Sequence, residues 1–145
     1  VIHNDYTNAS AARRVRDLLP GKLAERWLAG RFAIVNAWRS VAGPVMTTPL
    51  ACCDASTIAA GDLIPSERRA EERIGELELV CWNEQHRWCY FPAMRREQVL
   101  LIKTFDSAAD GRATRSVHSA FANPLAPADA APRESIESRT IVRFD

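Results

Sequence analysis

Apolar positions recur at helical spacing between Ala9 and Gly30, with Val15, Leu18 and Leu19 on one stripe and Leu23 and Trp27 on another. Pro20-Gly21 interrupts that run, because proline removes a backbone donor and its ring clashes with the preceding turn, so the segment predicts two helices. Ser10, whose hydroxyl can accept from a free backbone N–H, is the expected N-cap of the first, and Gly30 the expected stop of the second. After Arg31 the periodicity shortens. Phe32 to Trp38 is rich in β-branched and aromatic residues and is closed off by Gly43-Pro44, which predicts a strand buried on both faces. A shorter strand is expected over Pro49 to Cys53, and the charged stretch Pro65 to Arg73 reads as a solvated loop or a short surface helix. Two alternating runs, Glu76 to Trp82 and His86 to Phe91, flank the polar Asn83-Glu84-Gln85 and predict a β-hairpin. Glu97 to Phe105 and Ile136 to Phe144 give two further strands, with Ala/Pro/Gly/Asp-rich loops over Ala108 to Arg115 and Ala122 to Pro132.

Short strands joined by Pro- and Gly-containing turns after one helical segment indicate a mainly β fold, a double-stranded β-helix of the jelly-roll or cupin-like kind. Trp38, Trp82, Trp88, Tyr90 and Phe121 fall at strand positions where aromatic rings ordinarily fill the core. A length of 145 residues with 47% hydrophobic residues suits a single domain over 1–145. The formal net charge of +1 lacks the basic excess that drives counterion release on nucleic acid, so neither nucleic acid nor an anionic membrane is an expected partner. The four cysteines, at positions 52, 53, 81 and 89, include no pair with the two-residue gap of a zinc knuckle and read as reduced thiols. No apolar run approaches bilayer length, and the cytoplasm is the default compartment. The chain opens on Val1 rather than Met, and His3 and Asp5 follow with no element before them. It is therefore expected to be the C-terminal, catalytic portion of a longer chain, with a barrel lacking its N-terminal part.

Candidate chemistry begins at those residues. In an extended chain positions i and i+2 point to one face, so His3 and Asp5 can meet one ion. The other histidines are His86 and His118, and a third imidazole ligand must be one of them. Two histidines and one carboxylate on one side of an ion leave three positions open, the arrangement of non-haem iron(II) oxygenases. Arg133-Glu134-Ser135 follows His118 by fifteen positions. Its guanidinium and hydroxyl share a strand face and can grip a carboxylate through charge-assisted hydrogen bonds. Arg139 and Arg143 have the same parity, with Glu137 or Asp106 as expected partners of Arg139. Asn36 lies in an otherwise apolar run and requires a polar partner, either a cosubstrate or a structural neighbour. His86, beside Arg87, is expected to pack or hydrogen-bond and is the substitute ligand should His118 lie elsewhere.

The order His-x-Asp, distant His, Arg-x-Ser resembles the 2-oxoglutarate-dependent oxygenases from residue 3 to residue 135. In detail it is similar to the hydroxylase/desaturase family of secondary-metabolite gene clusters, which includes proteins related to cephem 7-methoxylation. The likeness lies in His3-Asn4-Asp5-Tyr6-Thr7, Asn36-Ala37-Trp38-Arg39, Gly43-Pro44, Pro49-Leu50-Ala51 and His86-Arg87-Trp88. It continues through Lys103-Thr104-Phe105-Asp106-Ser107, His118-Ser119-Ala120-Phe121 and Pro132 to Glu137. The resemblance implies iron(II) bound by His3, Asp5 and His118, and the far carboxylate of 2-oxoglutarate held by Arg133 and Ser135, with Asn36 as a candidate contact to the cosubstrate. It implies hydroxylation or desaturation of an unactivated C–H bond of a small molecule, with dioxygen as oxidant. The competing readings are a cupin-like metal dioxygenase that works without 2-oxoglutarate and a degenerate barrel serving as a binding module.

Overall fold

The computed structural model describes residues 1–70 and 73–145. The chain runs through β1 (His3–Asn4), α1 (Asn8–Leu18), α2 (Gly21–Leu28), β2 (Phe32–Ser40), β3 (Leu50–Cys53) and β4 (Leu63–Ala70). It continues through β5 (Arg73–Val80), β6 (Trp88–Tyr90), β7 (Leu100–Asp106), β8 (His118–Ala120) and β9 (Ser135–Arg143). One six-stranded sheet has the order β4-β5-β1-β8-β3-β6 and a three-stranded sheet the order β7-β2-β9. All the paired strands are antiparallel. The fold is therefore mainly β with two helices, a partial double-stranded β-helix, as the strand pattern predicts.

The helices form where the apolar period places them. α1 is capped by Thr7 rather than by Ser10: the Thr7 hydroxyl accepts from Ser10 N–H at 3.0 Å, and Ser10 Oγ accepts from Thr7 N–H at 2.9 Å. Ser10 is the other half of a reciprocal capping box, three positions inside the observed boundary. Thr7 is held in place because its hydroxyl also donates to Glu76 on β5. α1 and α2 separate at Pro20-Gly21 as expected, and α2 stops at a C-cap on Ala29, next to Gly30. Their buried faces, Ala11, Val15 and Ala24, pack with Tyr6 onto Phe32, Ile34 and Phe105. A second cluster, Trp38, Val45, Met94 and Ile102, lies further along β2. Asn36, fully buried, sits on the same face of β2 between the two. The expectation of burial on both faces holds for Phe32, Ala33 and Ile34; beyond them Val35, Ala37 and Arg39 on the outer face are half-exposed.

Two expectations are corrected. Glu76 to Trp82 does not form a hairpin with His86 to Phe91: β5 pairs with β4 on one side and β1 on the other, and β6 pairs with β3. The charged stretch from Pro65 is accordingly neither loop nor helix but most of β4, with Arg73 opening β5; positions 71–72 of that stretch lie outside the described residues. Alternation identifies a strand but not its neighbour, and β4 offers β5 a register over the whole of its length. The 83–86 segment docks instead on Asp62, which accepts from Asn83 Nδ2 at 3.2 Å and lies 3.0 Å from His86 Nε2. Among the aromatics, Trp38 is core, whereas Trp82 is 82% exposed and not a core residue. Tyr90, also exposed, meets Phe121 edge to face at 5.1 Å.

Because the Thr7 cap satisfies a helix donor at the point where the chain leaves the His-x-Asp segment, Thr7→Ala is expected to destabilise the protein by about 1 kcal/mol, with Thr7→Ser close to wild type. Urea denaturation midpoints of the three proteins measure this. A loss in Thr7→Ser equal to that in Thr7→Ala would show that the hydroxyl cap is not the source.

Candidate metal centre

β1 is short, yet it brings together the first candidate pair. His3 lies in register with Leu79 of β5 and with His118 of β8, so two imidazoles from distant parts of the chain become direct cross-strand neighbours. Their ring centroids are 4.8 Å apart. Asp5, two positions on, returns to the same face, and its Oδ1 is 3.4 Å from His3 Nε2. One donor atom from each of His3, Asp5 and His118 lies within 4.8 Å of the other two.

The donors are oriented as a metal requires. His3 Nδ1 lies 3.1 Å from the Val1 carbonyl and His118 Nδ1 2.9 Å from the Ser116 carbonyl. A carbonyl can only accept, so each Nδ1 carries the proton and each Nε2 presents its lone pair in the neutral ring. The Asp5 carboxylate is held from the opposite sheet: Asn36 Nδ2 donates to Oδ2 at 2.7 Å and the Arg139 guanidinium to Oδ1 at 3.2 Å. Asn36 and Arg139 are themselves cross-strand partners of β2 and β9. Burial pushes the Asp5 carboxyl up, but the His3 hydrogen bond, Arg139, His118 and Asn36 together bring it down to about 2. His3 moves above the ordinary imidazole range, chiefly because Asp5 accepts from it and against the effect of burial. Two neutral nitrogens and one carboxylate oxygen, converging from one side, fit a non-haem iron(II) ion.

A cleft of about 370 Å³ opens on these donors, with Trp38, Leu50 and Arg133 among its walls. Arg133 donates to the Thr48 carbonyl at 3.0 Å and faces the Trp38 ring at 5.7 Å. Of its five N–H groups one is thereby used. Ser135 opens β9 opposite Ser40, is exposed, and does not line the cleft. Asn36 reaches Asp5 itself. His86 stands apart from the three donors, pinned to Asp62. Arg139 was expected to pair with Glu137 or Asp106: it meets Glu137 at 3.2 Å, while Asp106 takes Arg31 and Lys103, and its second partner is Asp5. That contact had one legible signal, the shared parity of Arg139 and Arg133, but nothing in the sequence aims it at residue 5.

Comparison with known proteins gives these features a context. A family profile described as "Oxidoreductase/YMDC permease-like domain" matches residues 1–143. The chain is 39% identical over 137 residues to aspirochlorine biosynthesis protein N of Aspergillus oryzae, covering 93% of this chain and 57% of that protein. It is 37% identical over 143 residues to the Fe(II)/2-oxoglutarate-dependent dioxygenase nvfI of Aspergillus novofumigatus, covering 97% and 51%. Hydroxylase/desaturase CTB9 of Cercospora beticola is 34% identical over 154 residues, covering 99% and 47%. The solved structure of the iron and alpha-ketoglutarate-dependent endoperoxidase NvfI superposes with a TM-score of 0.88 at 35% identity, covering 98% of this chain and 53% of that one. The chain thus spans about half the length of the curated relatives it matches. Sequence and fold agree over nearly all of its residues, and the chain belongs to the Fe(II)/2-oxoglutarate-dependent hydroxylase/desaturase family.

Proposed function

We propose that this chain carries the metal centre of an Fe(II)/2-oxoglutarate-dependent hydroxylase or desaturase acting on an unactivated C–H bond of a small molecule of secondary metabolism. The observation that carries the reading is the convergence of His3, Asp5 and His118 at the floor of a cleft that also holds the Arg133 and Arg139 guanidinium groups. Relatives include a hydroxylase/desaturase and an iron and alpha-ketoglutarate-dependent endoperoxidase.

When bound, iron(II) with 2-oxoglutarate and dioxygen supplies the oxidation of the C–H bond. The residues do the rest. His3 and His118 present neutral Nε2 donors because backbone carbonyls hold their Nδ1 protons. Asp5 presents Oδ1 because Asn36 holds Oδ2. Donors gathered on one side leave the cleft side of the site free. There Arg133, with four N–H groups uncommitted among the described residues, would grip the far carboxylate of 2-oxoglutarate, and the Trp38 ring beneath the guanidinium would limit its swing. Ser135 would join this contact only by a change of position. Arg139 is tied to Asp5, so its removal acts on the metal ligand first.

Three outcomes follow. Anaerobic titration of the iron(II)-loaded full-length protein with 2-oxoglutarate is expected to develop the visible charge-transfer band of the chelate. Arg133→Ala should weaken 2-oxoglutarate roughly ten- to a hundredfold at unchanged iron affinity, the loss of one charge-assisted pair. Arg139→Ala should change iron affinity instead. Equal 2-oxoglutarate affinities in wild type and Arg133→Ala would remove Arg133 from the role.

The pH dependence has a definite sign. A metal displaces the Nε2 proton, so affinity is lost as pH falls through the raised value of His3. Asp5, held down to about 2, stays ionised throughout and contributes no step. Iron(II) dissociation constants measured anaerobically between about pH 5.5 and 8 are expected to rise as pH falls, the rise beginning above the ordinary imidazole range because His3 is raised. A profile flat from about pH 8 down to about pH 5.5 would remove His3 from the control of metal affinity.

A further inference from the structure

Behind the donor face lies a buried polar chain that the proposed chemistry does not use. Asn4 stands between His3 and Asp5 and, by the two-residue period of the pleat, points to the opposite side, where it is fully buried. Its Nδ2 donates to the Tyr6 carbonyl at 2.7 Å and to Glu78 Oε2 at 3.0 Å. Glu78, the register partner of Asn4 on β5, is only 6% exposed. Its other oxygen, Oε1, accepts from the guanidinium of Arg115. Arg115 lies three residues before His118, on the segment that enters β8, and also reaches Asn8 Oδ1 at 3.4 Å.

The backbone alone ties these segments weakly. β1 has two residues, and its register with β8 is the single pair His3↔His118. A carboxylate as buried as Glu78 requires partners on both oxygens, and breaking such a pair leaves an uncompensated charge in a poor solvent. Here one oxygen is bound by the segment carrying His3 and Asp5 and the other by the segment carrying His118. The distance between the two parts of the donor set is therefore written into one side chain.

We propose that Glu78 is the positioning residue of the metal centre: through Asn4 on one oxygen and Arg115 on the other it sets the spacing between the His3/Asp5 pair and His118. This rests on reading those three residues as the metal ligands. Glu78 never touches the ion, so its removal leaves all three ligands in place and shifts their geometry. Side chains that hydrogen-bond the ligands themselves typically govern metal affinity by roughly ten- to a hundredfold, and Glu78, one bond further out but shared by both ligand segments, is expected to act within that range.

Cobalt(II) is the probe, because its visible d–d bands report ligand geometry without turnover. Titrations of the full-length protein are compared for wild type, Glu78→Ala, Glu78→Gln, Arg115→Lys and Arg31→Ala, each below its metal-free melting temperature. Arg31→Ala breaks the buried Asp106 pair, which lies outside the cleft, and serves as the control for lost stability alone. Glu78→Ala is expected to weaken cobalt roughly ten- to a hundredfold and to alter the band envelope. Glu78→Gln, which retains one oxygen, and Arg115→Lys, which retains the charge, should fall between it and wild type, and Arg31→Ala should match wild type. If Glu78→Ala does not fold, the intermediate losses of the two conservative variants carry the test. Wild-type affinity and spectrum in the Glu78 and Arg115 variants, or an equal loss in Arg31→Ala, would overturn the positioning role while leaving the metal centre standing. No cobalt binding by wild type would overturn the metal centre and the positioning role together.

Discussion

The carboxylate of Asp5 is where the two sheets meet through polar groups, and the site depends on that meeting. Asp5 follows the shortest strand of the six-stranded sheet, while Asn36 and Arg139 come from facing positions of β2 and β9 in the three-stranded sheet. Two donors on two oxygens fix both the position and the rotation of the carboxylate. The His3 hydrogen bond first, and then Arg139, His118 and Asn36, keep it ionised against burial that would otherwise protonate it.

Holding a polar cluster between sheets has a cost that the surrounding packing must exceed. On the inner face of β2 the clusters around Ile34 and Trp38 lie to either side of Asn36, so the amide is in apolar surroundings wherever it does not meet Asp5. Among the described residues its Oδ1 has no partner, as does Oδ1 of Asn4. An unpaired buried acceptor costs about 1–3 kcal/mol. Such groups are rare in native cores and concentrate where function requires them. Both amides here adjoin the same carboxylate, Asn36 by contact and Asn4 by sequence. Arg39 Nε and Arg143 Nε are likewise buried without a partner among the described residues, so two of four such atoms lie at the donor set; the helices and the Phe32 and Phe105 rings carry the apolar burial.

Several features were legible before any coordinates. The His-x-Asp pair reads directly, because the period of two is local and needs no partner strand. Both helices and the break at Pro20-Gly21 follow from backbone chemistry, β2, β7 and β9 from runs containing β-branched and aromatic residues, and β3 from the short apolar run after Pro49. The N-cap was displaced by three residues because Thr7 and Ser10 are equally good acceptors by type. Only the bond from Thr7 to Glu76 on β5 separates them. The hairpin failed for a related reason: Glu76 to Trp82 is a sound strand, but its neighbour is chosen by register with Leu63–Ala70, whose charges disguise it as surface loop.

The sequence by itself determined the donor types, the local face shared by His3 and Asp5, and the elements that carry them, since each depends on residues within a few positions. The resemblance pointed to His118, and tertiary structure supplied the physical reason that this imidazole joins the candidate set. His118 and His86 are equivalent in kind, and what distinguishes them is that β8 lies beside β1 while Asp62 holds His86 at another edge. Tertiary structure alone decided that Arg133 rather than Ser135 borders the cleft, that Arg139 and Asn36 close on Asp5, and that Glu78 joins two segments far apart in sequence. Contacts between strands distant in the chain carry no period of their own, and they come into being only when burial of the apolar faces brings the sheets together.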